Sequence, residues 1–345
     1  MAQITLGSTG IVTNQMSFGA LPIQRADTDT AVRILRRSFD GGINFYDTAR
    51  AYSDSEEKLG LAFGGMRDKI IIATKTAATT PEDFRRDLET SLRTLKTDYI
   101  DIYQFHNPSR CFRPGDGTGM YECMLEAKRE GKILHIGVTN HLLNVADECV
   151  DSGLYETLQF PFSYLADEKD IALVNKCRDA NIGFIAMKAL AGGLITNAKA
   201  AAAYMAQYDN VLPIWGIQRE CELDQFLEFV SELPAMTDEI RQIIEADRTE
   251  LVGEFCRGCG YCMPCPQNIV INQCARISLM LRRAPSAGWL NEESQAMMKQ
   301  VESCIECGQC SQRCPYGLDT PALLKRNYDD YKRVLSGERS VDYRM

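Results

Sequence analysis

Along the first two thirds of the chain, short and wholly apolar runs alternate with longer stretches in which apolar residues recur every three to four positions. The runs fall at about 16–18, 43–46, 70–74, 100–105, 133–138, 157–160, 182–186 and 211–215. Continuous apolar runs of that length suit strands buried on both faces. The stretches between them, such as Thr28 to Asp40, Pro81 to Leu95, Met120 to Glu130, Glu168 to Ala180 and Leu223 to Glu232, suit amphipathic helices. Gly41-Gly42 marks the end of the first of these. Strand and helix in strict alternation imply right-handed crossovers and a parallel sheet. Eight such units predict an α/β fold of the (β/α)8 TIM-barrel type. An open doubly wound sheet is the rival, but no GxGxxG follows the first strand. Ahead of the barrel, ITLG-STG-IVTN reads as a hairpin turning at Ser8-Thr9-Gly10.

After a polar helix expected over Pro234 to Glu250, the composition shifts to Cys, Gly and Pro. The chain has 14 cysteines. Those from Cys256 to Cys314 are clustered, whereas Cys111, Cys123, Cys149, Cys177 and Cys221 are scattered. The net charge of −9 argues against a nucleic-acid partner. No apolar run approaches the roughly 18 residues of a membrane span. The N-terminus lacks a basic region followed by an apolar core, so a cytoplasmic location is expected. In that compartment clustered cysteines point to metal rather than to disulfides.

The spacing of the cluster narrows the metal. CRGCGYCMPCP supplies Cys256, Cys259, Cys262 and Cys265, and CIECGQCSQRCP supplies Cys304, Cys307, Cys310 and Cys314. Three cysteines at two-residue gaps wrap three corners of a cubane, and a fourth before proline closes the other cluster. One 4Fe–4S cluster is therefore expected on Cys256, Cys259, Cys262 and Cys314, and a second on Cys304, Cys307, Cys310 and Cys265. Two four-cysteine zinc sites are the alternative, but they need only two CxxC pairs each. This region resembles a bacterial two-cluster ferredoxin. The expected division is a barrel over 1–235, a connecting helix with a small ferredoxin-like iron–sulfur domain over 236–325, and a charged tail over 326–345. The other cysteines, Cys274 among them, are expected to be buried apolar residues.

Three successive barrel strands end in ionisable groups: Asp47 after INFY, Lys75 after IIIAT and His106 after YIDIYQF. Tyr52 follows Asp47 on the next loop. On the C-terminal face of a barrel such groups converge. Delivering hydride to a carbonyl requires a proton donor at the forming alkoxide. A tyrosine has the chemistry but an ordinary pKa near 10. A neighbouring ammonium is expected to lower it. Arg50, Arg110 and Arg113 lie on expected mouth loops, and the glycine-bearing loop from Cys111 to Gly119 reads as a flexible lid.

GGINFYDTARAYSDSEEKLG, IIIATK, YIDIYQFHNP and GKILHIGVTNH resemble the aldo-keto reductases across most of the first two thirds. The resemblance implies a nicotinamide cofactor, NAD(P)(H), bound without a Rossmann fold. It implies Tyr52 as general acid–base, Lys75 and Asp47 as its tuning pair, and His106 as the group that orients the carbonyl. It also implies that Thr139, Asn140 and Gln159 hold the nicotinamide carboxamide, and that Leu190 and Gly193 lie beside the pyrophosphate. The sequence departs from the family at Ser53, where glycine is usual, and in WGIQRECELDQF, where Gln225-Phe226 replaces Glu-Asn. Arg219 is the residue there that can pair with a 2′-phosphate. The order of barrel and ferredoxin motifs resembles a subgroup of that family with a C-terminal iron–sulfur domain.

The expected protein is an anaerobe-type enzyme that reduces a small carbonyl, or oxidises an alcohol, with a nicotinamide cofactor, coupled to or stabilised by two 4Fe–4S clusters. The alternative is an iron–sulfur electron-transfer protein with the barrel as binding scaffold. That alternative needs an electron-transfer partner, and it draws weight from the mismatch between two-electron hydride and one-electron clusters.

Overall fold

A computed structural model of the protein describes residues 3–251, 255–283 and 286–341. Strands β1 (Gln3–Thr5) and β2 (Val12–Asn14) pair antiparallel with Ile4 opposite Thr13, forming the expected hairpin. Eight parallel strands follow: β3 (Ser17–Gly19), β4 (Phe45–Asp47), β5 (Ile71–Thr76), β6 (Ile100–His106), β7 (Ile133–Thr139), β8 (Thr157–Pro161), β9 (Gly183–Met187) and β10 (Val211–Gly216). They pair in sequence order, and β10 closes the barrel on β3.

Each barrel strand is followed by a helix: α1 (Thr28–Asp40), α2 (Ser55–Phe63), α3 (Pro81–Leu95), α4 (Met120–Arg129), α5 (Leu143–Ser152), α6 (Glu168–Asp179), α7 (Ala198–Met205) and α8 (Glu220–Ser231). Their starts are written locally. Asp27 accepts from Thr30 N, Thr80 accepts from Asp83 N ahead of Pro81, and Asp167 with Asp170 forms a capping box. Helix α2 escapes the apolar periodicity because its inward face carries Ser55, Glu56 and Lys58. Helix α8 starts at Glu220, three residues before its first apolar position, because Glu222 accepts from Gln218 N and Arg219 N.

The barrel interior is a layer of Phe45, Ala73, Ile102, Ile185, Leu212 and Ile214, joined by Ile4 and Leu6 of the hairpin. Gly7 bridges to Ile182, so the hairpin plugs the end at which strands begin. A methyl group on Gly183 would fall 2.5 Å from Leu6 Cγ, which is why glycine opens β9. Side chains alternate along a strand. Two residues beyond Phe45, Ala73 and Ile102 the same inward face therefore presents Asp47, Lys75 and Gln104.

The barrel unit comprises the chain up to Ala189 together with Ala198–Ile240, and a second unit comprises Leu190–Asn197 together with the chain from Arg241. Beyond α9 (Asp238–Glu250) lie α10 (Ile271–Cys274), α11 (Ile277–Arg283), α12 (Glu292–Lys299), α13 (Gln309–Gln312) and α14 (Thr320–Leu335). The core of the second unit contains Ile269, Ile271, Ile277, Leu281, Met298, Val301, Leu323, Leu324, Tyr331 and Val334. Helix α14 carries the core of the second unit into the charged C-terminal stretch. Leu323, Leu324, Tyr331 and Val334 recur at helical spacing and are buried, and Tyr331 Oη donates to Trp289 O at 2.9 Å. Among the described residues no helix is long and apolar enough to cross a membrane.

Candidate active site and cysteine cavities

At the C-terminal ends of β4 and β5, Lys75 Nζ donates to Asp47 Oδ1 at 2.7 Å, Asp47 Oδ2 at 2.8 Å and Thr48 O at 2.6 Å. An ammonium has three hydrogens, and these three acceptors account for them. Gln159 Nε2 reaches Asp47 Oδ1 at 3.5 Å, and Gln104 Nε2 donates to Gln159 Oε1 at 3.1 Å. The loop after β4 turns through Tyr52, whose N–H donates to Ala49 O, and Ser53 takes φ +38°. The Tyr52 and His106 rings meet edge to face with centroids 5.7 Å apart, and Lys75 Nζ lies 5.3 Å from the Tyr52 centroid. Asp47, Tyr52, Lys75, His106 and Gln159 are thus brought together. Gln104 belongs with them and was missed. Its signal was alternation, since it lies two residues before His106 on one strand face.

Burial pulls the ion pair toward neutrality, pushing Asp47 up and Lys75 down, while each charge opposes the other's shift. Burial and then the Asp47 charge push the Tyr52 phenol above its ordinary value. This is the reverse of the expected lowering, because burial disfavours the phenolate and the Asp47 carboxylate opposes a second negative charge beside it. Burial, then the Lys75 charge, holds His106 down at about 3, so its imidazole is neutral at physiological pH. Its Nδ1 is buried without a hydrogen-bond partner among the described residues, as is Gln104 Oε1.

Arg50 does not stand free at the mouth. It pairs with Glu56, which is 1% exposed and also accepts from Thr74 Oγ1 and Ser91 Oγ at 2.7 Å each. The expected lid is anchored at its start: Cys111 and Phe112 are buried, Tyr155 Oη donates to Phe112 O at 2.7 Å, and Arg113 pairs with Glu148 at 3.1 Å. Gly115, Gly117 and Gly119 all take positive φ.

The residues assigned to the cofactor are partly engaged. Thr139 Oγ1 accepts from Asn107 N at 3.1 Å, and Asn140 donates to Pro108 O and accepts from Leu142 N, both at 2.8 Å. One Nδ2 hydrogen and one Oδ1 lone pair of Asn140 stay open to a carboxamide. Together with the orphaned Gln104 Oε1, they suit an amide ligand. Leu190 and Gly193 form a turn in the second unit, with Gly193 N donating to Leu190 O at 2.9 Å and Gly193 at φ +94°. Arg219 pairs with Glu222 at 2.7 Å. Glu220 and Asp224 pair with Arg33 and Arg37 of α1.

The second unit holds two cysteine-lined cavities. One, of about 340 Å³, is lined by Cys256, Cys259, Cys262 and Cys314. The other, of about 380 Å³, is lined by Cys265, Cys304, Cys307 and Cys310, with Cys262 at its edge. These are the interlocked sets expected from the spacing. Backbone N–H groups already point at the sulfurs: Gly258 N donates to Cys256 Sγ at 3.3 Å, and Gln267 N to Cys265 Sγ at 3.4 Å. Cysteine sulfurs lining a cavity, with N–H donors to sulfur, suit a cubane cluster rather than a single ion, on which no three Cys, His, Asp or Glu side chains converge among the described residues. Cys274 is buried as expected, with its thiol toward Met297 O at 3.7 Å. Cys221 is exposed, contrary to expectation, because it lies on the outer face of α8.

Residues 11–211 match the Aldo/keto reductase family, and residues 255–319 match a 4Fe-4S dicluster domain. The chain is 31% identical over 230 residues to the aldo-keto reductase YhdN of Bacillus subtilis, covering 61% of this chain and 68% of that protein. It is 29% identical over 228 residues to the NADH-specific methylglyoxal reductase of Escherichia coli, covering 57% and 69%. The solved structure of aldo-keto reductase AKR11C1 from Bacillus halodurans superposes with a TM-score of 0.63 at 22% identity, covering 74% of this chain and 98% of that one.

Proposed function

From the premise that the chain belongs to the aldo/keto reductase family, we propose that this oxidoreductase reduces a small carbonyl compound, or oxidises the matching alcohol, at the Asp47–Tyr52–Lys75–His106 site. The observation that carries this reading is the buried Lys75–Asp47 ion pair beneath a phenol and a neutral imidazole. A nicotinamide cofactor, when bound, supplies hydride to the carbonyl carbon, with Thr139, Asn140 and Gln159 as the residues that would hold its carboxamide and Arg219 the one assigned to its 2′-phosphate.

Tyr52 donates its phenolic proton to the carbonyl oxygen. Burial keeps the phenol protonated, and the alkoxide formed by hydride delivery is basic enough to take its proton. His106, neutral, donates a hydrogen bond to the same oxygen and fixes its direction. Lys75 and Asp47 hold the floor of the site, and Tyr52 recovers its proton from solvent water before the next turnover. The two cysteine sets would each hold a 4Fe–4S cluster, which exchanges single electrons when bound. A reducing cytoplasm suits a chain whose cysteines form no disulfide among the described residues.

The second reading is one-electron transfer to a partner. It is favoured by the exposure of Cys307 and Ile305 at the edge of the larger cavity. An anaerobic assay with NADH and NADPH against small aldehydes, methylglyoxal included, separates the two. Turnover that falls on the order of 10²–10⁴-fold in Tyr52→Phe is expected for proton donation by this phenol. Equal turnover in that variant rejects the mechanism.

A further inference from the structure

We propose that Arg276 raises the reduction potential of the cluster on Cys256, Cys259, Cys262 and Cys314, an inference that rests on the cluster assignment above. The guanidinium lies against two backbone turns of the second unit. Its Nη2 donates to Gly192 O at 3.3 Å. A methyl group on Gly192 would fall 2.8 Å from Nη1, and one on Gly258 would fall 2.7 Å from Nη1 and 3.1 Å from Cζ. Both glycines take positive φ, +68° and +67°. Only glycine at both positions leaves room for the cation where it lies.

Gly258 sits between Cys256 and Cys259, and its N–H is the donor to Cys256 Sγ. The cation is therefore packed directly behind the loop that carries two of the four ligands. Arg257 lines the same cavity, with its guanidinium 4.1 Å from the Tyr316 ring centroid. None of the described residues lining the other cavity is charged, and a cation at its wall, Arg313, donates from Nη1 to Pro264 O at 3.3 Å, a carbonyl outside both ligand triplets.

Reduction by one electron adds one negative charge and moves no proton in this scheme. A nearby cation stabilises the reduced form, and arginine cannot shed its charge in response to burial. A lysine at 276 would keep the charge but lose the planar fit between the two glycines. Because the same guanidinium holds Gly192 O, displacing the Leu190–Asn197 loop should also reach this cluster.

The test is an anaerobic titration with dithionite and mediators, followed by low-temperature electron paramagnetic resonance, on wild type, Arg276→Met, Arg276→Lys and Gly192→Ala. In Arg276→Met one cluster should become about tenfold harder to reduce, a midpoint about 59 mV lower for one electron, with the other unchanged. Arg276→Lys should retain most of the wild-type value. Gly192→Ala, which keeps the charge but pushes it aside, should shift the same cluster in the same direction. If Arg276→Met fails to load its clusters, Gly192→Ala decides. Two unmoved midpoints, two equally moved ones, or Arg276→Lys falling as far as Arg276→Met overturns the role. A wild type without iron and sulfide would instead refute the cluster reading itself.

Discussion

The ammonium of Lys75 lies 2.7 and 2.8 Å from the two carboxylate oxygens of Asp47, and the two side chains are 1% and 2% exposed. Neither charge is solvated, so each depends on the other. Removing one partner of a buried pair strands the other charge at a cost of about 3–5 kcal/mol. Lys75→Met should therefore destabilise the barrel by that order as well as abolish turnover. Lys75→Met with Asp47→Leu should recover much of the stability and none of the activity. Urea unfolding of both variants, followed by circular dichroism, checks this, and equal midpoints for the two would contradict it.

His106 is held at about 3 by burial and by Lys75, against an ordinary 6.5. A depressed histidine stabilises the fold fully above 6.5, and that contribution is lost as pH falls toward 3. The imidazole proton resonances of His106 should not titrate between pH 5 and 8. A titration midpoint near 6.5 would show that the ring is solvated and charged in the working range.

Glu156 behaves in the opposite sense. Burial alone would raise it, but hydrogen bonds from His135, Lys128 and Ile136 N bring it down to about 2. Its stabilising contribution is present above about 4.5 and disappears as pH falls through about 2. Glu156→Gln should cost about 1–3 kcal/mol at pH 7, and the gap to wild type should close in acid. A gap that stays constant down to pH 2 would mean that the charge is irrelevant.

Anaerobically purified protein should carry about eight iron and eight sulfide, from two cubanes. Air or chelator should bleach the cluster absorbance at a temperature where the barrel's circular dichroism is unchanged, because the barrel strands enclose their own core. Zinc without sulfide would overturn the cluster assignment, and joint loss of both signals would overturn the independence of the two cores.

Cofactor choice should be weak. Arg219, the side chain expected to meet a 2′-phosphate, is already paired with Glu222 at 2.7 Å, and a phosphate would have to compete for it. Fluorescence titration should find NADPH and NADH within 100-fold of each other, about 2.7 kcal/mol. A larger preference for NADPH would mean that Arg219 leaves Glu222 on binding.

Much of this was written along the chain. Buried parallel strands have to be apolar on both faces, so the eight runs announced the barrel, and the alternating helices announced its handedness. The two CxxCxxC runs announced the interlocked cavities, because cubane geometry demands that spacing. Local sequence could not say where long side chains point. Arg50 resembles a mouth residue until Glu56, hidden on a helix with no apolar pattern, claims it. Lys75 resembles a tuner of Tyr52 until packing buries the phenol beside the Asp47 carboxylate, so the phenol rises where the ammonium alone predicted a fall. Gln104 became part of the site, and Arg276 a partner of Gly192 O, only when strand register and turn geometry brought distant residues within hydrogen-bonding reach. Pattern determines which face a residue occupies, and tertiary packing decides which partner it meets there.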